Sequence, residues 1–401
     1  MKPPHGVLKP GKEGKVCCLL KALYSLKQAS RVWHQELTRV LVTDLGFNQS
    51  AVDHSVFLKQ TVDEHTVVTM AMDDMAITFK RLVDVKRFKT ELCHYWGISD
   101  KGELSWFIGF KVKHDRQACT ILINQWAYIE AMVNKFKLTN AKLVLTPMEA
   151  GVQYMKEQGP STPTQERQVQ GVPYSEAIGC VLWLVVISHP NVVFAIEILL
   201  QFIQNPGLVN WEALKRVIVY LGSMKDLWLT IGRKSQKLVE GFCDTDWATQ
   251  KHWHLILGYS YHLGQGAVIW SSKKQQIIAL STVEAECIAQ AHAAKEVLWL
   301  CTFISEIQGE SEPLIMIYSD NQGAIALSKD NKFHTRMKHI DIHHHFIHKV
   351  IKDKKVSVVC VLTDENPADI FTKPLAKIKF HQFIELLGLW RVEMKEGGRP
   401  G

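Results

Sequence analysis

The chain has 401 residues and is 47% hydrophobic, which predicts two or three globular domains and excludes an intrinsically disordered protein. Its formal net charge of +7 permits a nucleic-acid partner without requiring one. The nine cysteines form no CxxC pair or zinc spacing, and the first residues lack the apolar segment of a signal peptide, so we expect an intracellular protein, cytoplasmic or nuclear.

Three sequence words stand in order within residues 15–115. They are Leu-Tyr-Ser-Leu-Lys-Gln-Ala-Ser-Arg-Val-Trp (23 to 33), Met-Asp-Asp-Met (72 to 75) and Gly-Glu-Leu-Ser-Trp-Phe-Ile-Gly (102 to 109). The first begins a helical stretch and contains Lys27 and Gln28. The second lies inside an apolar run, where Asp73 and Asp74 by themselves predict only the polar tip of a β-hairpin.

The middle of the chain carries a linker and a strongly apolar region. The segment 158–164, Gln-Gly-Pro-Ser-Thr-Pro-Thr, predicts a loop because proline and glycine interrupt regular structure. The apolar run 181–200 approaches the length of a membrane span, but Pro190 and Glu197 interrupt it. We therefore expect two buried helical pieces separated at Pro190, and no membrane partner. The polar stretch 232–237 predicts a second domain boundary.

Four carboxylates follow in four different local settings. Asp244 ends the apolar run of a predicted strand, and Asp320 follows the apolar run of another. Glu286 lies in the first turns of a predicted helix from 281 to about 307, and Asp369 opens another helix after a short strand. Acids at adjacent strand ends and on helices packed against that sheet can meet at one edge. Each acid alone is equally typical of a turn or a helix cap.

A group of four carboxylates at one edge would need positive charge. Clustered carboxylates repel one another, so such a group is stable mainly when divalent cations neutralise it. Oxygen ligands favour Mg²⁺, which Mn²⁺ can replace, and two ions about 3.5–4 Å apart would activate a water and stabilise the leaving oxygen of a phosphodiester. The pattern therefore predicts a two-ion site formed by Asp244, Glu286, Asp320 and Asp369.

Six ordered words surround these acids. They are Cys-Asp-Thr-Asp-Trp-Ala (243 to 248), Ile-Trp-Ser-Ser-Lys-Lys-Gln (269 to 275), Leu-Ser-Thr-Val-Glu-Ala-Glu (280 to 286), Ser-Asp-Asn-Gln-Gly-Ala-Ile (319 to 325), Lys-His-Ile-Asp-Ile (338 to 342) and Ala-Asp-Ile-Phe-Thr-Lys-Pro-Leu (368 to 375). In this order they resemble the ribonuclease H domain of copia-type LTR retrotransposon Pol polyproteins. The words within 15–115 resemble the reverse transcriptase of the same family, so the resemblance covers nearly the whole chain.

The resemblance implies an α/β chain, in which an α+β polymerase palm remnant precedes a ribonuclease H-like mixed five-stranded sheet with flanking helices. We expect a truncated reverse transcriptase region at 1–157 and a linker with a helical connection at 158–235. A ribonuclease H-like domain at 236–390 and a flexible tail at 391–401 would follow. On this interpretation, residues 236–390 fold without the rest of the chain.

The resemblance also implies a nuclease that cuts the RNA strand of RNA–DNA hybrids, with the four acids as catalytic metal ligands. Glu284 and Glu286 are two residues apart on one helix, so only one of them can face the site. The family's glutamate is followed three residues on by alanine, which favours Glu286. Asp246 shares a strand face with Asp244 and stays open as an alternative ligand.

The polymerase part of the resemblance is incomplete. It implies that Asp73 and Asp74 are vestiges of a polymerase site, and that Lys27 and Gln28 belong to the template-contacting helix. The family's first polymerase aspartate lies upstream of the segment that this chain resembles, so we expect RNA-directed DNA polymerase activity to be lost. Drift at several family positions supports the alternative of a non-catalytic nucleic-acid-binding or interaction remnant.

Two further groups of side chains are candidates for binding. Contacts to phosphates and sugars of a nucleic acid are expected from Lys273, Lys274, Gln275, Asn321, Gln322, Arg336 and Lys338. Lysines on an edge strand are as often devices against aggregation. Five histidines crowd one predicted helix, namely His339, His343, His344, His345 and His348. Pairs four residues apart could share a metal, but a polar helix face is favoured because no third ligand accompanies them.

Overall fold

The computed structural model describes residues 16, 18–19, 22–23, 25–61, 65–152, 154–232, 237–246, 255–275, 279, 281–329 and 341–392. The chain divides into two compact units. The first comprises residues 1–101 with 306–310, and the second comprises residues 102–305 with 311–401. The predicted boundaries at 157 and 235 remain predictions.

In its described residues, the first unit is an antiparallel sheet with two α-helices, the first of which continues into a π-helix, Val40–Asp44. Its elements are α1 (Ala29–Arg39), β1 (Asn48–Gln49), β2 (Val56–Gln60), β3 (His65–Ala71), β4 (Asp74–Phe79) and α2 (Leu82–Cys93). The strands follow the order β1-β2-β3-β4. In β3 every second residue is buried, as expected for a strand with one face on the core. That face packs with Leu37, Phe57 and Phe88 into one hydrophobic cluster.

The second unit begins with a meander and a group of helices. Its first elements are β5 (Trp106–Phe107), β6 (Phe110–Asp115), β7 (Thr120–Asn124), α3 (Trp126–Lys135), α4 (Pro163–Val169), α5 (Tyr174–Ile187), α6 (Val193–Leu200), α7 (Leu208–Ser223) and β8 (Leu227–Gly232). A short 3₁₀ turn at Pro190–Val192 separates α5 from α6, which confirms the predicted break at Pro190. Within the described ranges, no single helix is long and apolar enough to cross a membrane, although the bent pair α4 and α5 passes by length and composition.

The rest of the second unit is a mixed sheet with helices. Its elements are β9 (Val239–Asp246), β10 (Ile256–Leu263), β11 (Gly266–Lys274), α8 (Thr282–Gln308), β12 (Ile315–Ser319), α9 (Gln322–Lys329), α10 (Asp341–Lys352), β13 (Val356–Cys360), α11 (Lys377–Leu386) and β14 (Leu389–Arg391). The sheet order is β11-β10-β9-β12-β13. Strand β10 is antiparallel to β9 and β11, whereas β12 is parallel to β9 and β13. The predicted mixed five-stranded sheet with flanking helices is therefore confirmed.

The mixed sheet shares its core with the helices that precede it. One hydrophobic cluster runs from Ile129 in α3 to Leu389 in β14 and includes Ile256 and Ala267 of the mixed sheet. The indole of Trp270 on β11 donates a hydrogen bond of 2.8 Å to the carbonyl of Val185 in α5. Strand β14 pairs with β8, in the sheet ordered β14-β8-β7-β6-β5. Residues on both sides of the predicted boundary at 235 thus bury one another.

Candidate metal centre

The register of two parallel strands brings Asp244 and Asp320 to the same level of the mixed sheet. Phe242 on β9 pairs with Tyr318 on β12, and each aspartate lies two residues further along its strand direction. Parallel neighbours carry residues of equal offset to the same edge, and residues two apart share a face. Asp244 lies within β9, whereas Asp320 directly follows the last residue of β12, Ser319.

Two contacts hold α8 over this edge. The hydroxyl of Tyr261, which is fully buried on β10, donates a 2.6 Å hydrogen bond to the carbonyl of Ala293. The Gln290 side chain donates at 3.3 Å to the Ser319 hydroxyl, next to Asp320. Gln290 and Ala293 lie four and seven residues after Glu286 and share its face of the helix. Docking of α8 at these two points therefore directs Glu286 toward the strand ends.

Asp244, Glu286 and Asp320 converge on one point. One carboxylate oxygen of each lies within 4.8 Å of the others, and among the described residues this is the one group of three or more potential metal ligands so close together. Asp244 is 3% exposed and Glu286 is 5% exposed, while Asp320 is half-buried. Glu286 Oε2 is buried without a hydrogen-bond partner. Three acids with one unpaired buried oxygen form an arrangement that suits a cation.

The two alternative acids do not belong to this group. Glu284 donates its backbone N–H to the Ser281 hydroxyl at 3.2 Å, so Ser281 caps α8. Asp246 lies two residues beyond Asp244 on β9, and it is not among the three acids that lie within 4.8 Å of one another.

Asp369 lies outside the three-acid group. It is fully buried in a 3₁₀ turn, Pro367–Phe371, and the next α-helix, α11, begins only at Lys377. Two lysines bind its oxygens. Lys373 Nζ lies 2.9 Å from Asp369 Oδ1, and Lys379 Nζ lies 3.1 Å from Asp369 Oδ2. The two ammonium groups balance a buried carboxylate that would otherwise be costly.

A glycine lets this turn lie directly on the mixed sheet. Gly258 on β10 pairs with Asp244, and a Cβ at Gly258 would come within 2.7 Å of Phe371 Cβ and 2.8 Å of Thr372 Cγ2. Such approaches are too short for carbon atoms, so only glycine permits the packing. The Thr372 hydroxyl then donates a 2.5 Å hydrogen bond to Asp244 Oδ2, and Lys373 Nζ lies 3.8 Å from the same oxygen.

Burial and mutual repulsion govern the charges of these acids. Burial raises the pKa of Asp244 to about 7, even though Lys373 acts in the opposite direction. Burial, together with the charges of Asp244 and Asp320, raises the pKa of Glu286 well above its ordinary value. Burial acts to lower the pKa of Lys373, but Asp244 and Asp369 outweigh it and raise the pKa. A cation between the three acids would favour their charged forms.

Comparison with known proteins identifies the family of the chain. Residues 1–150 match a family model described as reverse transcriptase (RNA-dependent DNA polymerase). Over 97% of its length the chain is 32% identical to the retrovirus-related Pol polyprotein from transposon TNT 1-94 of Nicotiana tabacum. The chain belongs to the copia-type Pol polyprotein family. It is also 30% identical, over 99% of its length, to the Pol polyprotein from transposon RE2 of Arabidopsis thaliana.

The chain matches only part of the length of these relatives. It spans 29% of the TNT 1-94 polyprotein and 27% of the RE2 polyprotein. Among solved structures, LC11-RNase H1 in complex with an RNA/DNA hybrid is similar at 13% identity and a TM-score of 0.26, over 33% of this chain and 93% of that chain.

The predicted nucleic-acid contacts of the Pol homologue fall in different environments. Lys273 and Gln322 are exposed. The Lys274 ammonium donates to Gln201 Oε1 at 3.1 Å, and Gln275 is buried at 4% exposure. Asn321 Oδ1 accepts the backbone N–H of Ala324 at 3.0 Å and thereby caps α9. The remaining two predicted contacts, Arg336 and Lys338, lie outside the described residues.

The vestigial polymerase residues all lie in the first unit. Asp73 and Asp74 are exposed at the turn that joins β3 to β4, where the neighbouring Met72 adopts a positive φ of 55°. The predicted polar hairpin tip is therefore present. Lys27 and Gln28 are exposed directly before α1.

The histidine-rich helix shows ordinary packing contacts. His344 Nε2 lies 2.9 Å from the carbonyl oxygen of Leu327, which joins α10 to α9. His344 and His348 stack with ring centroids 6.4 Å apart, and His292 stacks on His343 at 5.7 Å. His345 lies on the same helix, and His339 lies outside the described residues.

Three residues at the site carry no role in the sequence-based prediction, namely Gly258, Thr372 and Lys373. Thr372 and Lys373 stand inside the word 368–375, and the spacing of four between Asp369 and Lys373 is the usual spacing of a helical ion pair. That spacing was a usable signal. Nothing in the sequence pairs Gly258 with a turn more than a hundred residues away.

Proposed function

We propose that the second unit of this Pol homologue is a divalent-cation-dependent nuclease that hydrolyses the RNA strand of RNA–DNA hybrids. The observation that carries the proposal is the convergence of Asp244, Glu286 and Asp320, from two strands and a helix, within 4.8 Å. The family membership supports the choice of nucleic acid as substrate.

The residues fit a hard cation. All three ligands are carboxylate oxygens, which suit Mg²⁺ and Mn²⁺ rather than softer metals. The unpaired Glu286 Oε2 supplies an acceptor that no protein donor uses. When bound, such an ion polarises the scissile phosphate and lowers the pKa of an attacking water.

The chain's own residues hold the acids in place for this chemistry. The Thr372 hydroxyl and the Lys373 ammonium orient Asp244, and the Thr363 hydroxyl donates to Asp320 Oδ2 at 2.8 Å. These contacts leave the carboxylates aimed at one point before any substrate arrives, which reduces the reorganisation that catalysis requires. Asp369 differs from these three acids, because each of its oxygens forms an ion pair with a lysine.

Substrate contact is proposed at the exposed polar groups near this edge. Lys273 and Gln322 present side chains to solvent and suit phosphate and 2′-hydroxyl oxygens. Recognition through the backbone and 2′-hydroxyls of a wide minor groove would give selectivity for RNA in a hybrid with little sequence preference.

A cleavage assay on the full chain tests the proposal. The measurement is hydrolysis of an end-labelled RNA–DNA hybrid in Mg²⁺, in Mn²⁺ and in EDTA, together with hybrid binding in EDTA. Asp244→Asn and Asp320→Asn should each reduce cleavage by more than about 100-fold. Mutation of a residue that only supports a metal ligand already lowers metal affinity or activity by about 10–100-fold. The control is Asp353→Asn, at an exposed aspartate after α10, which should cut like wild type.

The same assay separates the alternatives. Cleavage that survives Asp244→Asn and is lost in Asp246→Asn would assign the ligand to Asp246. A wild-type chain that binds the hybrid and never cuts it in either metal would refute the nuclease and leave a nucleic-acid-binding remnant.

A further inference from the structure

We propose that the Lys373 ammonium is a built-in counter-cation that occupies the second cation position of the acidic site. Without nucleic acid, the chain then binds one divalent ion, at Asp244, Glu286 and Asp320, and the position beside Asp369 stays closed to a second. This inference rests on the proposed metal centre and concerns how many ions that centre accepts.

The position of the ammonium between two acids carries the inference. Lys373 Nζ lies 2.9 Å from Asp369 Oδ1 and 3.8 Å from Asp244 Oδ2, so one positive charge contacts both carboxylates. A second ion shared by Asp244 and Asp369 would need the same space. Magnesium binds oxygen at about 2.0–2.1 Å, so the ion and the ammonium cannot be accommodated together.

The charges around Asp369 are already balanced. Its second oxygen, Oδ2, is bound by Lys379 Nζ at 3.1 Å, and its side chain is fully buried. A buried carboxylate with two ammonium partners has no electrostatic demand for a further cation. Glu286 Oε2 is likewise buried without a hydrogen-bond partner, but Glu286 forms no ion pair with a lysine or arginine among the described residues, and it belongs to the three-acid group.

The fold fixes Lys373 in this place. Thr372, its neighbour in sequence, is tied to Asp244 by the 2.5 Å hydrogen bond, and the turn that precedes it lies against Gly258. The backbone that carries Lys373 therefore belongs to a segment that is packed on the sheet. Lys373 acts as a positioning residue, through its effect on ion occupancy.

The test counts bound ions on the full chain. Free Mn²⁺ is titrated by electron paramagnetic resonance, and the stoichiometry is checked by isothermal titration calorimetry. Wild type should bind one ion at this site and Lys373→Met should bind two. Lys373→Arg keeps the charge and should bind one. Lys377→Met is the matched control, because Lys377 is an exposed lysine of α11 that forms no ion pair with either aspartate, and it should also bind one.

Each result decides. A merely structural lysine would lower the melting temperature of Lys373→Met without adding an ion. One ion in both wild type and Lys373→Met, or two ions in wild type, overturns the inference and leaves the proposed metal centre standing. No ion in wild type overturns both.

If Lys373→Met is unfolded without metal, a second measurement tests the inference. The inference requires that Mn²⁺ then restore its circular dichroism, because ions would replace the missing charge and stabilise the folded state. A variant that stays unfolded in saturating Mn²⁺, while Lys373→Arg is folded, also overturns the inference.

Discussion

Replacing Gly258 by alanine tests whether the turn that carries Asp369 and Thr372 is seated directly on the mixed sheet. The new Cβ would lie 2.7 Å from Phe371 Cβ, 2.8 Å from Thr372 Cγ2 and 3.1 Å from the carbonyl oxygen of Ala368. Two of these neighbours are close to the backbone and cannot rotate away. The turn must therefore move, and overpacking of this kind costs about 1–3 kcal/mol.

Part of this cost is offset in the unfolded chain. A glycine-to-alanine change restricts the unfolded ensemble and stabilises the folded state by about 0.4–1 kcal/mol where the conformation allows it. The net loss should then be roughly 1–2 kcal/mol, which corresponds to a melting temperature lower by roughly 2–8 °C in a domain of this size class. Displacement of Thr372 should also weaken its bond to Asp244 and reduce hybrid cleavage.

The control uses a glycine with free space around it. Gly179 lies in α5 of the same unit, and a Cβ there would meet nothing within 4 Å. Gly179→Ala should therefore raise the melting temperature, by about 0.5–1 kcal/mol of added stability. Differential scanning calorimetry of both variants provides the measurement. If Gly258→Ala melts at or above the wild-type temperature, the turn is not seated as the structure shows, and the account of the site is wrong.

Three further predictions follow from the charges and the packing. The pKa of Asp244 is raised from 3.8 to about 7, so its contribution to stability is fully present below pH 3.8 and is lost as the pH rises through about 7. Without metal, the melting temperature should therefore fall between pH 3.8 and about 7, and it should fall less in Asp244→Asn. Because Asp73 and Asp74 belong to no group of three metal-competent acids among the described residues, the 401-residue chain should show background primer extension even in Mn²⁺, and templated products would contradict this. A 236–390 fragment should melt below a 102–392 fragment by circular dichroism, since the latter keeps the shared core; equal melting would restore the predicted self-sufficient domain.

Much of the second unit could be predicted because its signals are local. The helix expected from 281 to about 307 is observed at Thr282–Gln308, and Asp320 directly follows a strand as expected. Apolar periodicity and a capping serine decide such elements within a few residues of sequence. The convergence of Asp244, Glu286 and Asp320 then followed from strand and helix order. Their catalytic roles stay a prediction.

Asp369 shows where local signals are insufficient. Its sequence setting predicted that it opens a helix, which is wrong, because it lies in a 3₁₀ turn. Its role as a fourth metal ligand stays a prediction, and in the structure two lysines form ion pairs with its oxygens. Whether a carboxylate faces a metal ion or a lysine ammonium group depends on which neighbour the packing brings within about 3 Å. The sequence contains the acids that could share a metal ion with Asp369 and the lysines that could pair with it, and it does not show which of them lie beside it.

The sequence by itself determined the strands and the helix that carry Asp244, Glu286 and Asp320, and it determined the family, because periodicity, capping and ordered motifs act over short stretches of chain. Only the tertiary structure decided the shared core and the contacts of the acidic site. The bond from Thr372 to Asp244 joins residues 128 positions apart, and it forms because a strand glycine leaves space for a distant turn. Such contacts depend on the close packing of two surfaces, in which tenths of an ångström matter, and a linear pattern of residue types does not contain that distance information.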